Sequence, residues 1–203
     1  MCGQASCRSQ LNATFEGYGQ MKDFILGFGL VFFSISTFAA QPSPPITCEL
    51  AGQKNTISLL RFSPTEDSFV YKVRYAQQTK FIYNGSNESR GSGIQWQCVS
   101  DGKNMNVLVI SGEFTSNFLQ GVLFYFNSGD GKIERIDFAE RNRPRWVSIS
   151  AQGAQVIFEN TGNESSSKYL SYGKNGAYVE LSELPSTSSS AGEKLIDLKN
   201  GQQ

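Results

Sequence analysis

The sequence predicts an all-β domain, an antiparallel sandwich or barrel of about ten to twelve short strands. From residue 46 onward apolar and polar residues alternate with a period of two, which is typical of strands that bury one face. The alternating segments are rich in β-branched and aromatic residues. Dipeptides that favour tight turns, such as Asp101-Gly102 and Asp130-Gly131, separate the segments at short intervals.

The chain carries a candidate export signal before this domain. Met21 and the lysine after it are followed by an apolar run over residues 24–38 and by the small residues Ala39 and Ala40. A charged start, an apolar run and small residues form, in this order, the layout of a secretory signal peptide. The apolar run is shorter than the ~20 residues that a membrane-spanning helix needs. We therefore interpret residues 21–40 as a signal peptide that is cleaved after Ala39 or Ala40.

The segments on either side of the signal and of the β domain complete the organisation. A signal peptide normally begins within a few residues of its charged start, so residues 1–20 are expected to be a mis-annotated leader. Residues 41–45 form a Pro-rich spacer, and residues 46–184 form the β domain. Residues 185–203 begin as a polar, Ser-rich stretch of low complexity, which predicts a flexible C-terminal tail.

The strands of the β domain are predicted one by one from the same alternation. In Ser68–Tyr75, the apolar residues Phe69, Tyr71 and Val73 share one face and Lys72 lies on the other. The other predicted strands are Ile46–Ala51, Thr56–Phe62, Lys80–Asn84, Ile94–Val99, Asn106–Ile110, Val122–Asn127, Lys132–Phe138, Arg145–Ser150, Gln155–Glu159, Lys168–Tyr172 and Ala177–Ser182. The clearest hairpins span residues 122–136 and 169–181. A short amphipathic piece at 193–199 is assigned to the tail.

Cysteine usage predicts one disulfide. Without the leader, only Cys48 and Cys98 remain, in a chain that the signal directs to an oxidising compartment. A disulfide between them would close a loop of about 50 residues. A zinc site is the alternative, but two cysteines in a chain without histidine do not complete a tetrahedral ligand set unless carboxylates contribute. We therefore expect a disulfide and no metal.

Composition excludes several classes of function. The chain has no histidine, which removes Ser–His and Cys–His catalysis and histidine-ligated metals. Its 18 basic and 18 acidic residues balance, so the net charge gives no reason to expect a nucleic-acid partner. No cofactor-binding motif is present, and none of the usual catalytic motifs. We expect no cofactor, and contact with a membrane only through the signal segment during export.

Carboxylates are the remaining acid–base groups, and they lead to one enzymatic alternative. Glu134 and Asp137 lie in the same predicted strand, and a glycosidase needs two carboxyl groups at a set separation. Their spacing gives them opposite parity, so they face opposite ways unless a bulge intervenes. A carboxylate-based glycan hydrolase therefore stays an alternative to a solvated strand surface.

The segment Arg141-Asn-Arg-Pro-Arg-Trp146 is the densest charged feature of the domain. Arg and Trp are the residue types that dominate binding hot spots, and Arg forms bidentate pairs with carboxylate or phosphate. We therefore select Arg141, Arg143, Arg145 and Trp146 as a candidate binding patch. The alternative is an exposed loop in which Pro144 fixes the entry to a strand and the indole anchors the core.

A second candidate segment is Ser92-Gly-Ile-Gln-Trp96, with Ser92, Gly93 and Trp96 as its site residues. It is similar to the Ser-Gly-x-x-Tyr-like loop of the small periplasmic inhibitors of C-type lysozyme, with Trp in place of Tyr. The resemblance covers five residues and implies a disulfide-linked β-barrel that presents Ser92 to its target. The alternation of the strand gives a different interpretation, in which Trp96 packs in the core against a buried disulfide at Cys98.

These observations predict a secreted or periplasmic domain that binds a protein, a glycan or another envelope component without catalysing a reaction. Two alternatives stay open. One is a lysozyme-inhibitor-like periplasmic protein, and the other is the carboxylate-based glycan hydrolase.

Overall fold

The structure is a computed structural model that describes residues 44–102, 105–115, 118–150, 153–162, 165–186 and 193–198. The predicted leader at 1–20 and the predicted signal peptide at 21–40 lie outside the described residues. So do residues 41–43 of the spacer and most of the predicted tail. Within the described part of the chain, no helix has the length and apolar character needed to cross a bilayer.

The described residues form thirteen strands, two short 3-10 turns and no α-helix, which confirms the predicted all-β class. The turns are Gln53–Asn55 and Lys174–Gly176. The strands are β1 Ile46–Glu49, β2 Thr56–Thr65, β3 Ser68–Tyr75, β4 Gln78–Phe81, β5 Arg90–Ser100, β6 Asn106–Glu113, β7 Leu119–Asn127, β8 Lys132–Glu140, β9 Trp146–Ser150, β10 Gly153–Glu159, β11 Tyr169–Tyr172, β12 Tyr178–Leu181 and β13 Lys194–Asp197.

The strands pair into two antiparallel sheets. The larger sheet has eight strands in the order β1-β2-β3-β5-β6-β7-β8, with β4 also paired to β3. The smaller sheet has five strands in the order β12-β11-β10-β9-β13. Both predicted hairpins are present, as β7–β8 and as β11–β12. Positive φ angles of 65° at Gly131 and 61° at Asn175 supply the backbone conformation that these tight connections need.

Strands β6 and β7 are the centre of the fold because both of their faces are buried. On β6, Val107 and Val109 belong to the core cluster shared with the five-stranded sheet. Leu108 and Ile110, which alternate with them, belong to a second cluster shared with β1, β2 and β3. The larger sheet therefore curls over itself on one side and is covered by the smaller sheet on the other. This arrangement explains why β6 and β7 are nearly continuous apolar runs.

Gly121 shows how tightly the centre is packed. It pairs with Phe138 of β8, and a Cβ at this position would lie 2.4 Å from the Phe138 ring and 2.3 Å from the carbonyl oxygen of Ile110. The ring thus occupies the space left by the missing side chain. No other residue type fits there without displacing the sheet.

The predicted disulfide is present and joins distant parts of the larger sheet. Cys48 of β1 is bonded to Cys98 of β5, with their Cα atoms 5.6 Å apart. Cys48 is fully buried, whereas Cys98 is exposed, so the expectation of a wholly buried disulfide is wrong. Trp96 is half-buried and packs against the same core cluster as Cys48.

One element contradicts the predicted organisation. Residues 194–197, assigned to a flexible tail over 185–203, form β13, which pairs with β9 at the edge of the smaller sheet. Leu198 follows it and is 2% exposed within the core. The backbone N–H of Leu198 donates to the carbonyl oxygen of Arg145 over 2.9 Å. The β domain therefore extends beyond residue 184 and includes this strand.

Candidate binding cleft

A cleft of about 370 Å³ lies between the two sheets, on the side where β5 and β6 face the start of β9. It is lined by residues from several parts of the chain: 95–97 of β5, Val109 and Ser111 of β6, 142–145 before β9, and Glu159, Thr161 and Leu198. The volume lies in the range of small-molecule sites in proteins, which are typically ~300–1,000 Å³.

Arg143 ties three segments together at this cleft. Its Nη1 donates to the carbonyl oxygen of Ser111 over 2.8 Å and to the Ser111 hydroxyl over 3.0 Å. Its Nη2 donates to the carbonyl oxygen of Gly93 over 2.7 Å. All three acceptors are neutral. Burial lowers the pKa of Arg143 and the charge of Glu113 opposes this, but a guanidinium stays protonated at any physiological pH.

Arg145, in contrast, is neutralised within the protein. Its Nε and Nη2 donate to the two carboxylate oxygens of Asp197 over 3.0 and 2.9 Å, and Glu159 lies 3.9 Å away. The hydrogen bond to Asp197 is the main reason why the pKa of Arg145 is raised. Sequence reasoning missed this partner because Asp197 belongs to the segment assigned to the tail.

The structure divides the predicted Arg–Trp patch. Arg143 and Arg145 line the cleft, whereas Arg141 is exposed and is not part of the lining. Trp146 is half-buried and packs edge-on against Tyr169, with ring centroids 5.4 Å apart. The indole also lies 5.2 Å from the Arg145 guanidinium. Trp146 itself is not part of the described lining of the cleft, and its contacts are structural.

The predicted Ser92–Trp96 loop is in fact part of strand β5. The β5–β6 register shifts between Ser92 and Gln95, which marks a bulge, and Gly93 there has a φ of 57°. The Ser92 hydroxyl is engaged with Glu113 Oε2 over 3.2 Å. Because Gly93 accepts the hydrogen bond from Arg143, the bulge and the Arg–Trp segment meet at one edge of the cleft.

Two further lining residues, Gln95 and Gln97, were not selected from the sequence. Both lie on β5 and line the cleft, with Gln95 exposed and Gln97 half-buried. The amide oxygen of Gln97 is shielded from solvent and accepts no hydrogen bond within the described structure. Their shared strand face was visible in the sequence, but nothing in it showed that residues 142–145 lie opposite.

Glu134 lies in a separate polar cluster, away from the cleft. It accepts hydrogen bonds from Tyr125, Asn127 and Lys174, and its side chain is 13% exposed. Burial disfavours its charged form, but these hydrogen bonds outweigh burial and lower the pKa of Glu134 to about 2. A carboxylate that stays ionised at neutral pH is a poor general acid.

Asp137 lies on the opposite face of β8 and forms an ion pair with Arg135. Glu134 and Asp137 therefore do not converge on a common space, as a glycosidase pair must. Among the described residues, no group of three or more Cys, Asp or Glu side chains is placed to hold a metal ion.

Comparison of the chain with protein-family models, with curated proteins and with solved structures finds no match.

Proposed function

We propose that this chain is an exported, non-catalytic binding domain and that the cleft is its binding site. One observation carries the proposal: polar groups in the cleft have hydrogen-bonding capacity that the protein itself does not use. The Gln97 amide oxygen has no partner among the described residues, and Arg143 makes three bonds with a guanidinium that has five N–H groups. Buried polar groups in folded proteins are normally satisfied, so such groups suit a ligand.

The distribution of carboxylates supports binding rather than hydrolysis. Among the described lining residues of the cleft, Glu159 alone carries a carboxylate, and it lies beside Arg145. Hydrolysis of a glycosidic bond normally needs two carboxyl groups facing each other. Neither the described lining of the cleft nor the Glu134–Asp137 pair supplies them.

Two features support export. The disulfide between Cys48 and Cys98 suits an oxidising compartment such as the periplasm or the cell exterior. The segment at 21–40 has the layout of a signal peptide. The ligand of an exported domain would then be a protein or a glycan of the cell envelope or its surroundings.

The test places a bulky side chain in the cleft. Gln95→Trp fills part of the space, and Gln78→Trp makes the same change at an exposed position of β4 outside it. A ligand found on a glycan or protein array is measured against both variants by isothermal titration calorimetry. We expect Q78W to bind like the wild type and Q95W to bind at least tenfold more weakly. Equal binding by Q95W and the wild type would remove the cleft as the site.

A further inference from the structure

Arg143 is a positive charge in the cleft that no carboxylate of the described residues pairs. Arg145 is bonded to Asp197, but no described Asp or Glu oxygen lies within the 4.0 Å of an ion pair from Arg143. The charge of Glu113 acts on Arg143 and raises its pKa, and the Glu113 carboxylate accepts a hydrogen bond from Ser92. A cation held by neutral oxygens in a partly buried cleft favours an anion as ligand.

The hydrogen bonds of Arg143 also fix the orientation of its guanidinium toward a ligand. The two bonds to Ser111 are partly buried, whereas the bond to Gly93 lies at the solvent side. These three bonds fix the plane of the guanidinium and leave two N–H groups without a partner in the described structure. A planar donor of this kind matches the two oxygens of a carboxylate.

The other lining groups indicate what carries the carboxylate. Gln95, Gln97 and Asn142 supply amides, and Thr161 supplies a hydroxyl. Such groups pair with the adjacent hydroxyls of a sugar, which both donate and accept hydrogen bonds. The cleft also has apolar lining: Trp96 and Pro144 are half-buried, and Val109 and Leu198 are almost fully buried. The aromatic ring of Trp96 suits the apolar face of a sugar ring.

We propose that the cleft binds an acidic glycan, with a sugar carboxylate on Arg143 and sugar hydroxyls on the amides of Gln95 and Gln97. This inference rests on the proposed function, because it names the ligand class of the same cleft. The volume of about 370 Å³ accommodates one or two sugar rings, so recognition concerns a short stretch of the glycan.

The experiment uses a matched pair of ligands, a galacturonic acid tetramer and its methyl ester. The two differ in charge but share the same rings, so their comparison needs no variant. Both are titrated calorimetrically into the wild type, Arg143→Gln, Arg143→Lys and Arg135→Gln. Arg135 serves as the control because it lies on β8 with Asp137 and outside the cleft. A thermal melt of each variant reports whether loss of the Ser111 and Gly93 bonds unfolds the protein.

We expect the wild type and R135Q to bind the acid at least tenfold more tightly than the ester. R143Q should bind both equally weakly, and R143K should fall between because it keeps the charge but loses the planar fork. Equal affinity of the wild type for acid and ester would overturn the inference while leaving the cleft as a neutral-glycan site. Binding of neither sugar, or binding of a tetrapeptide with a free C-terminal carboxylate instead, would overturn the glycan class.

Discussion

Replacing Leu198 by alanine tests whether the C-terminal segment is part of the folded domain. Leu198 is 2% exposed and belongs to the core cluster between the sheets, although it follows a Ser-rich stretch that predicts a tail. Leu→Ala at a buried site typically costs about 2–5 kcal/mol, from lost burial and from the cavity left behind. Because Leu198 follows a short strand at the edge of the smaller sheet, where neighbours relax more easily, we expect the lower half of this range, roughly 2–3 kcal/mol.

The free energy of unfolding is measured by urea denaturation at pH 7 and 25 °C. For a domain of this size the expected loss also lowers the melting temperature by roughly 4–12 °C. Val179→Ala is the control, because Val179 of β12 is 47% exposed and its truncation should change stability by less than about 0.5 kcal/mol. If Leu198→Ala also changes stability by less than about 0.5 kcal/mol, the docking of β13 on β9 is wrong.

Two further predictions concern the disulfide and the Glu134 cluster. The Cys48→Ser/Cys98→Ser double variant should have a free energy of unfolding about 4 kcal/mol lower than the wild type, as measured by urea denaturation. This is the value that the chain-entropy model gives for a closed loop of this length. An unchanged denaturation midpoint would contradict the prediction. Glu134 has a pKa lowered from 4.5 to about 2, so its stabilising effect should be complete above about pH 5 and lost as the pH falls towards 2. The difference in unfolding free energy between the wild type and Glu134→Gln should therefore shrink between pH 6 and pH 3, and a constant difference would refute the role of the charge.

Eleven of the twelve predicted strands are present near their predicted positions, because the alternation of apolar and polar residues is a local property of the sequence. The predicted strand Lys80–Asn84 is displaced, since β4 ends at Phe81. Strand β13 was not predicted because four residues that follow a Ser-rich stretch of low complexity do not distinguish a docked strand from a tail. What docks it is long-range: Asp197 pairs with Arg145, and Ile196 lies opposite Val147. Such pairings between distant segments leave no trace in one sequence.

The residues of the candidate site could also be predicted only where the signal is local. Arg143 was selected because an Arg- and Trp-rich segment is a local signal. Its acceptors, Gly93 and Ser111, come from strands 50 and 32 residues away, and only the fold shows that they meet. Trp146 had the same local signal, yet its packing on Tyr169 makes it structural. Residue type therefore indicated a candidate surface, and the topology decided which of its members line the cleft.

A crystal structure of the protein grown with a galacturonic acid dimer would show whether Arg143 holds a sugar carboxylate in the cleft. We expect sugar density between β5–β6 and residues 142–145, with a carboxylate oxygen about 2.7–2.9 Å from an Arg143 nitrogen. We also expect the bonds from Arg143 to Gly93 and Ser111 to remain. Sugar bound elsewhere on the domain, or bound in the cleft with its carboxylate directed away from Arg143, would show that Arg143 does not recognise an acidic sugar.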